Sequence, residues 1–293
     1  MKNKKFIYAI ISATVFGIMP WMTLKMYEFG CTSVSAVFYR FFYASIVLYV
    51  IAKKNNDSTL TYTKEELRKL LFLSSNFILT PILLFASYEY IDSGVSTTLH
   101  FLYPVIIAGA HILLSYSKVS FPGVVSLILA SFGILLLVDL SCGVNMYGVI
   151  LAILSAITYS IYSIYFEVSG LIRMNSYKLS FFTASASSIV ALVLSLIRKE
   201  FVLILNKNFI FFSMFYSLLI LFFGVLFYQK SIKYIGSKNT AILSTLEPVT
   251  SILVGTVFLG QIMRLKSFFG VTLIIISAII ILMFDISTDK EKT

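Results

Sequence analysis

The chain has 293 residues, 59% of them hydrophobic and 12% charged, with a formal net charge of +10. A water-soluble domain carries about a quarter charged residues, so this composition excludes one and makes the bilayer the solvent. Lipid-exposed backbone must then be helical or form a closed barrel, and long continuous apolar runs, in place of alternating stretches of roughly ten residues, exclude the barrel.

Ten such runs follow one another, each close to the ~20 residues that cross a hydrocarbon core. The first, 6–24, follows Lys2, Lys4 and Lys5 but is too long for a signal-peptide core and lacks a small-residue cleavage site, so it is a span. The second is 32–52. The polar connection 53–69 comes next, and within it Thr63-Lys64-Glu65-Glu66 reads as a capping box opening the third helix. Runs 70–88, 93–117 and 119–138 complete a first group of five. Runs 140–166, 179–197, 208–229, 239–263 and 267–284 make a second. Arg40 and Glu247 are the two formal charges inside the ten.

Charge distribution sets the expected orientation. With the N-terminus in the cytoplasm, 16 of the 23 basic residues fall on the cytoplasmic side and 6 on the outer side. The positive-inside rule then places both termini in the cytoplasm of a bacterial-type inner membrane. That bias accounts for the basicity without a nucleic-acid partner. Cys31 and Cys142 both fall at predicted outer ends; a disulfide between them has no framework pattern behind it, and free cysteines are the default.

An internal repeat is visible. A shift of 144 aligns 90–105 with 234–249, with seven of 16 pairs identical, among them Leu99/Leu243, Leu102/Leu246 and Pro104/Pro248. A shift of 143 brings Ala9, Ala13 and Gly17 onto Ala152, Ala156 and Ser160. Each trio lies on one helix face, where small residues let membrane helices approach closely. A five-helix unit must invert in its second copy. The predicted fold class is therefore an all-α membrane protein of ten transmembrane helices in two inverted five-helix repeats, 1–138 and 139–293. Inverted repeats build many secondary transporters, with the cargo site near the midplane between the halves; this step is an analogy between folds.

The chain resembles the drug/metabolite transporter superfamily, specifically the EamA-type ten-helix transporters. The resemblance rests on Phe16-Gly17-Ile18-Met19-Pro20-Trp21, Tyr39-Arg40-Phe41, Leu246-Glu247-Pro248-Val249, Gly255 and Leu259-Gly260. Gln261 stands where the family often has Glu. The resemblance implies a central cavity lined mainly by helices one, three, four, six, eight and nine, open alternately to each side, with cargo drawn from amino acids, amines, nucleosides and other metabolites.

Individual residues carry competing readings. Glu247 is costly at mid-membrane; it is either a ligand for a cargo ammonium or a proton-coupling site, or else a structural carboxylate across a helix seam. Pro104 and Pro248 disturb the carbonyls of His100 and Ser244, which frees oxygens for cargo or water or simply kinks both helices. Tyr103 is the repeat mate of Glu247. His100 lies deep enough to carry protons, whereas His111 reads as a satisfied interfacial residue. Arg40 pairs with a carboxylate or a cargo anion, or snorkels outward. Trp21 is an interfacial anchor or a cavity residue. The substrate-binding or coupling candidates are thus Glu247, Tyr103, His100, Trp21, Ser244 and Arg40, with Pro104 and Pro248 as kinks. The expected partners are a small-molecule substrate, the lipid bilayer and protons, for a monomer or homodimer. No catalytic residue, metal or cofactor is expected. The alternative function, a membrane-embedded enzyme acting on a lipid or small hydrophobic substrate, would need clustered nucleophiles, metal ligands or several intramembrane carboxylates.

Overall fold

The computed structural model describes residues 4–54, 60–91, 93–114, 121–137, 145–259 and 265–288. Among these the chain is helical, with no strand. Cys142 and Gln261 lie outside the described residues. Six helical stretches are long and apolar enough to cross a membrane: Lys5–Glu28, Ser33–Lys53, Lys64–Ser87, Met146–Val168, Ser176–Ile197 and the 38-residue Lys207–Ser244. Shorter apolar helices complete the two sets of five spans.

In chain order the helices are α1 (Lys4–Glu28), α2 (Ser33–Lys54), α3 (Lys64–Ser87), α4 (Ser93–His100), α5 (Tyr103–Leu113), α6 (Phe121–Leu137), α7 (Met146–Val168), α8 (Ser176–Ile197), α9 (Lys207–Leu219), α10 (Leu226–Ser244), α11 (Glu247–Leu259) and α12 (Leu265–Thr288). Their starts follow from sequence. The expected capping box is present: Glu66 N–H donates to Thr63 Oγ1 at 3.2 Å, and Thr63 N–H donates to Glu66 Oε2 at 2.9 Å. Asn145, Asn175 and Asn206 accept from the first-turn amides of α7, α8 and α9, as Thr32 does for α2. The caps recur with the repeat, since Thr32 and Thr63 plus 143 are Asn175 and Asn206.

Two of the ten spans are broken. The fourth consists of α4 and α5, separated at Phe101-Leu102. The ninth consists of the last part of α10, from Ser237, and α11, separated at Thr245-Leu246. These interruptions are repeat-equivalent. The expected proline kinks are therefore full breaks: Pro104 and Pro248 occupy the second position of a new helix, where a missing N–H costs no intrahelical bond. The boundary between the eighth and ninth runs is not a loop. Two helical stretches abut there at Gly236, where the chain turns; its φ of 78° and ψ of 164° belong to a region that is essentially glycine-only. The eighth span also carries a π-helical segment, Ile220–Val225, at the level where its mate α3 carries Pro81 inside a continuous helix.

Packing follows a pseudo-two-fold axis. The equivalent helices α2 and α8 pack on each other, as do α6 and α12, while α3 packs on α7 much as α1 packs on α10. At the α6–α12 contact the hydrogen bonds are reciprocal: Ser126 Oγ donates to Ser277 O at 3.2 Å, and Ser277 Oγ to Ser126 O at 2.7 Å. Large apolar residues such as Ile46, Val50, Phe132 and Leu196 face outward, as lipid requires.

Candidate functional site

Tyr103 and Glu247 open the two half-helices at the breaks, and they meet. The Tyr103 hydroxyl donates to Glu247 Oε1 at 3.3 Å, and both residues are buried. The approach depends on Gly17. A Cβ there would stand 2.5 Å from the Glu247 carbonyl oxygen and 2.6 Å from Thr250 Cβ, so only glycine lets α1 lie against the first turn of α11. The repeat mate makes the corresponding contact on the other side, where Ser160 Oγ donates to Tyr103 O at 3.3 Å. The ridges Ala9/Ala13/Gly17 and Ala152/Ala156/Ser160 are thus both buried, each against the broken helix of the opposite repeat.

A cavity lies beside this pair, in the half of the bundle toward the α1–α2 turn. Its walls are Phe16, Gly17, Met19 and Pro20 of α1, Arg40 of α2, Phe77 to Tyr88 along one face of α3, Thr97, His100 and Phe101, Tyr159 of α7, and Glu247 and Ser251 of α11. Apolar and polar side chains share the wall, and among the described residues its two formal charges are Arg40 and Glu247.

Three of the predicted residues therefore line the cavity. Glu247 is 7% exposed and Arg40 6%. The guanidinium does not snorkel: Arg40 Cζ lies 5.1 Å from the Phe41 ring centroid, its buried Nε has no partner, and no carboxylate among the described residues is within 4.0 Å. His100 Nδ1 is 2.9 Å from Ser155 Oγ. Tyr103 stands behind Glu247 and does not reach the wall. Ser244, fully buried, donates to Thr240 O at 3.0 Å and is also off the wall. So is Trp21, because one residue along α1 from Pro20 turns its side chain by about 100°; it packs on Phe258 at 5.1 Å between ring centroids. Pro104 and Pro248 serve the breaks. His111 is satisfied at the opposite end, 2.8 Å from Ser237 Oγ and 3.5 Å from Glu167.

The wall also holds residues that sequence reasoning did not single out. Tyr88 and Thr97 join α3 to α4 through a 3.2 Å contact. Thr80 bonds Asn76 O and Thr158 Oγ1, each at 2.9 Å, one residue before Pro81. A proline in the middle of a third apolar run was the available signal. Phe16 is another, as the repeat mate of Tyr159 at a shift of 143.

The opposite half of the bundle is closed. Ser163 Oγ and Tyr228 Oη are 2.8 Å apart, Gln229 Nε2 donates to Tyr162 Oη at 3.3 Å, and Ser180 Oγ donates to Gln229 Oε1 at 3.1 Å. At shifts of 143 and 144, the mates of Tyr162, Ser163 and Tyr228 are Met19, Pro20 and Leu84, all on the cavity wall. Equivalent surfaces are thus sealed in one half and parted in the other.

Comparison with known proteins agrees with this architecture. A solved crystal structure superposes with a TM-score of 0.78 at 15% sequence identity, covering 95% of this chain and 96% of that one, a likeness that concerns the fold. A sequence search of curated proteins gives no match. The model of the EamA-like transporter family matches twice, over residues 3–139 and 146–283. Two tandem matches spanning nearly the whole chain, on a bundle with broken fourth and ninth helices, make this chain a member of the EamA-like transporter family.

Proposed function

We propose that the protein is a secondary-active transporter that moves a small metabolite, an amino acid, amine or similar molecule, by alternating access, and that it exports its cargo in exchange for protons. The observation that carries this reading is the Tyr103–Glu247 contact: two repeat-equivalent half-helix starts meet at one carboxylate on a cavity wall, where inverted-repeat transporters hold cargo and coupling ions. The expected orientation in a bacterial-type cytoplasmic membrane has both termini inside, with repeats 1–138 and 139–293. The cavity then faces outward, and the Tyr162–Ser163–Tyr228–Gln229 layer is the inner gate. Glu247 is the residue assigned to the cargo ammonium or the coupled proton, and the protein works as a monomer or homodimer.

The test is transport in proteoliposomes by wild type and Glu247→Gln, which keeps the shape but removes the charge and the titrating proton. A proton-coupling role predicts loss of pH-gradient-driven accumulation with exchange spared. An ammonium-binding role predicts weaker cargo affinity at every pH. Wild-type transport across the pH range would refute both.

A further inference from the structure

We infer that Arg40 is the seat of a carboxylate on the cargo, so that the cavity selects small monocarboxylates with an apolar body. This deepens the transport reading above and rests on it. A guanidinium cannot shed its proton inside a protein, so burial leaves it to be balanced by a counter-charge or by water. Arg40 is 6% exposed, and the structure offers it no counter-charge: no carboxylate among the described residues lies within 4.0 Å, and Nε has no partner. Glu247 shares the cavity wall but makes its bond to Tyr103 instead. The titratable groups that face Arg40 from neighbouring helices are the phenols Tyr88, Tyr159 and Tyr216, which supply hydroxyls and no charge near neutral pH. A mobile anion in the cavity is the remaining source of counter-charge.

The surroundings narrow its chemistry. Among the described residues Arg40 is the one Lys or Arg on the wall, so a single negative charge balances it, whereas a phosphate dianion would remain half-compensated. The planar fork of a guanidinium fits a carboxylate with two parallel hydrogen bonds, and Arg40 Cζ lies over the Phe41 ring. Beyond Arg40 the wall sets Phe16, Met19, Phe77, Leu84 and Phe101 beside the polar side chains already described, and these apolar residues suit a hydrocarbon or aromatic remainder. A cargo that also carries an ammonium group would place it toward Glu247, and the two charges of the cavity would read the two ends of one molecule.

The test uses purified full-length protein and thermal unfolding, since a ligand that binds only the folded state raises its stability. The probes are 3-phenylpropionate, its uncharged amide, phenylethylamine, phenylalanine and chloride. Phenylpropionate and phenylalanine should stabilise the wild type, while the amide and chloride should not. Charged hydrogen bonds of this kind correspond to roughly ten- to a hundredfold in affinity. Arg40→Gln should therefore weaken phenylpropionate by that factor, and Arg40→Lys, which keeps the charge but loses the fork, by an intermediate one. Should Arg40→Gln fail to fold, the acid–amide comparison in wild type and the Arg40→Lys titration decide the matter. The readout is equilibrium binding of a probe that carries no ammonium group, with no transport step, so the carboxylate seat stands or falls independently of the role given to Glu247. Equal shifts for acid and amide, no shift with either carboxylate, a shift with chloride matching that of the acid, or unchanged phenylpropionate affinity in Arg40→Lys would each overturn the inference.

Discussion

One missing side chain sets how closely α1 approaches the half-helix that Glu247 opens. The atoms a Cβ at Gly17 would strike are the Glu247 carbonyl oxygen, Thr250 Cβ and, at 3.2 Å, the Ser251 backbone nitrogen; two of the three are backbone, which cannot rotate aside. Gly17→Ala should therefore push α1 off α11 and cost about 1–3 kcal/mol, read as a lower melting temperature. Gly109 on α5 is the control, because a Cβ there meets nothing within 4 Å. Gly109→Ala should be neutral or stabilise by up to about 1 kcal/mol. A melting temperature for Gly17→Ala equal to that of Gly109→Ala would contradict the close approach. A second residue speaks to pH. Tyr62, outside the spans, donates its hydroxyl to Lys178 O at 3.1 Å, and burial together with the nearby Glu66 carboxylate pushes its phenol from 10.0 up to about 12. A raised phenol favours the folded state while neutral, so this contribution is fully present below about pH 10 and fades as pH rises toward 12. Tyr62→Phe should flatten the alkaline end of the stability profile over that window.

The elements differ in how much of them sequence made legible. Most spans, with the caps at Thr63 and the repeat of the Ala-Ala-Gly ridge, follow from apolar length and local hydrogen-bonding chemistry. The breaks do not, because Phe101-Leu102 and Thr245-Leu246 are as apolar as any helix interior, and apolar length alone reads through them. Pro104 and Pro248 carried the signal, but a membrane proline is compatible with either a kink or a new start. The choice is made by tertiary contacts, Ser160 on Tyr103 O and Gly17 on Glu247 O. The ridge was legible from its small residues, whereas its partners, the opposite repeat's half-helices, were not. Arg40 and Glu247 stood out because charge is rare in such runs, while Tyr88 and Thr97 were hidden among many similar residues. Gly236 was the least legible element. It separates the eighth and ninth spans as a single non-helical residue between two abutting helices, and Ser237 N–H just beyond it donates to Glu167 Oε2 at 2.9 Å. A Cβ at Gly236 would sit 3.1 Å from Glu167 Oε1. Gly236→Ala should lower stability by about 1–3 kcal/mol, the usual cost of forcing a side chain into this backbone region. Thermal unfolding of the variant beside Glu167→Gln separates the backbone term from the loss of the carboxylate contact. No loss in Gly236→Ala would mean that the turn is made elsewhere.

The molecule as a whole holds two versions of one interface. In the half proposed to face outward, Met19, Pro20 and Leu84 border open space; in the other, their mates Tyr162, Ser163 and Tyr228 are sealed by hydroxyl contacts. The proposed alternating access would exchange these two arrangements, with each side's seal setting the balance between them. Tyr228→Phe keeps the ring and its packing but removes the 2.8 Å contact to Ser163. One such buried bond contributes about 0.5–1.5 kcal/mol, so its loss should shift the outward-to-inward ratio roughly two- to tenfold toward the inward-open state. The readout is a single reporter thiol at Leu84, in a background with Cys31 and Cys142 replaced, treated with a membrane-impermeant reagent from the outer side. Leu84→Cys should react readily in the parent protein and more slowly when Tyr228→Phe is added, by the same factor as the population shift once the outward state is no longer dominant. A reporter at Phe166, one turn along α7 from Tyr162 and outside the Ser163–Tyr228 contact, should show the reverse, gaining reactivity from the inner side. If neither rate responds to Tyr228→Phe, the tyrosine layer is not the gate. If Leu84→Cys is inert from outside and reactive from inside, the cavity faces the cytoplasm and the orientation is inverted.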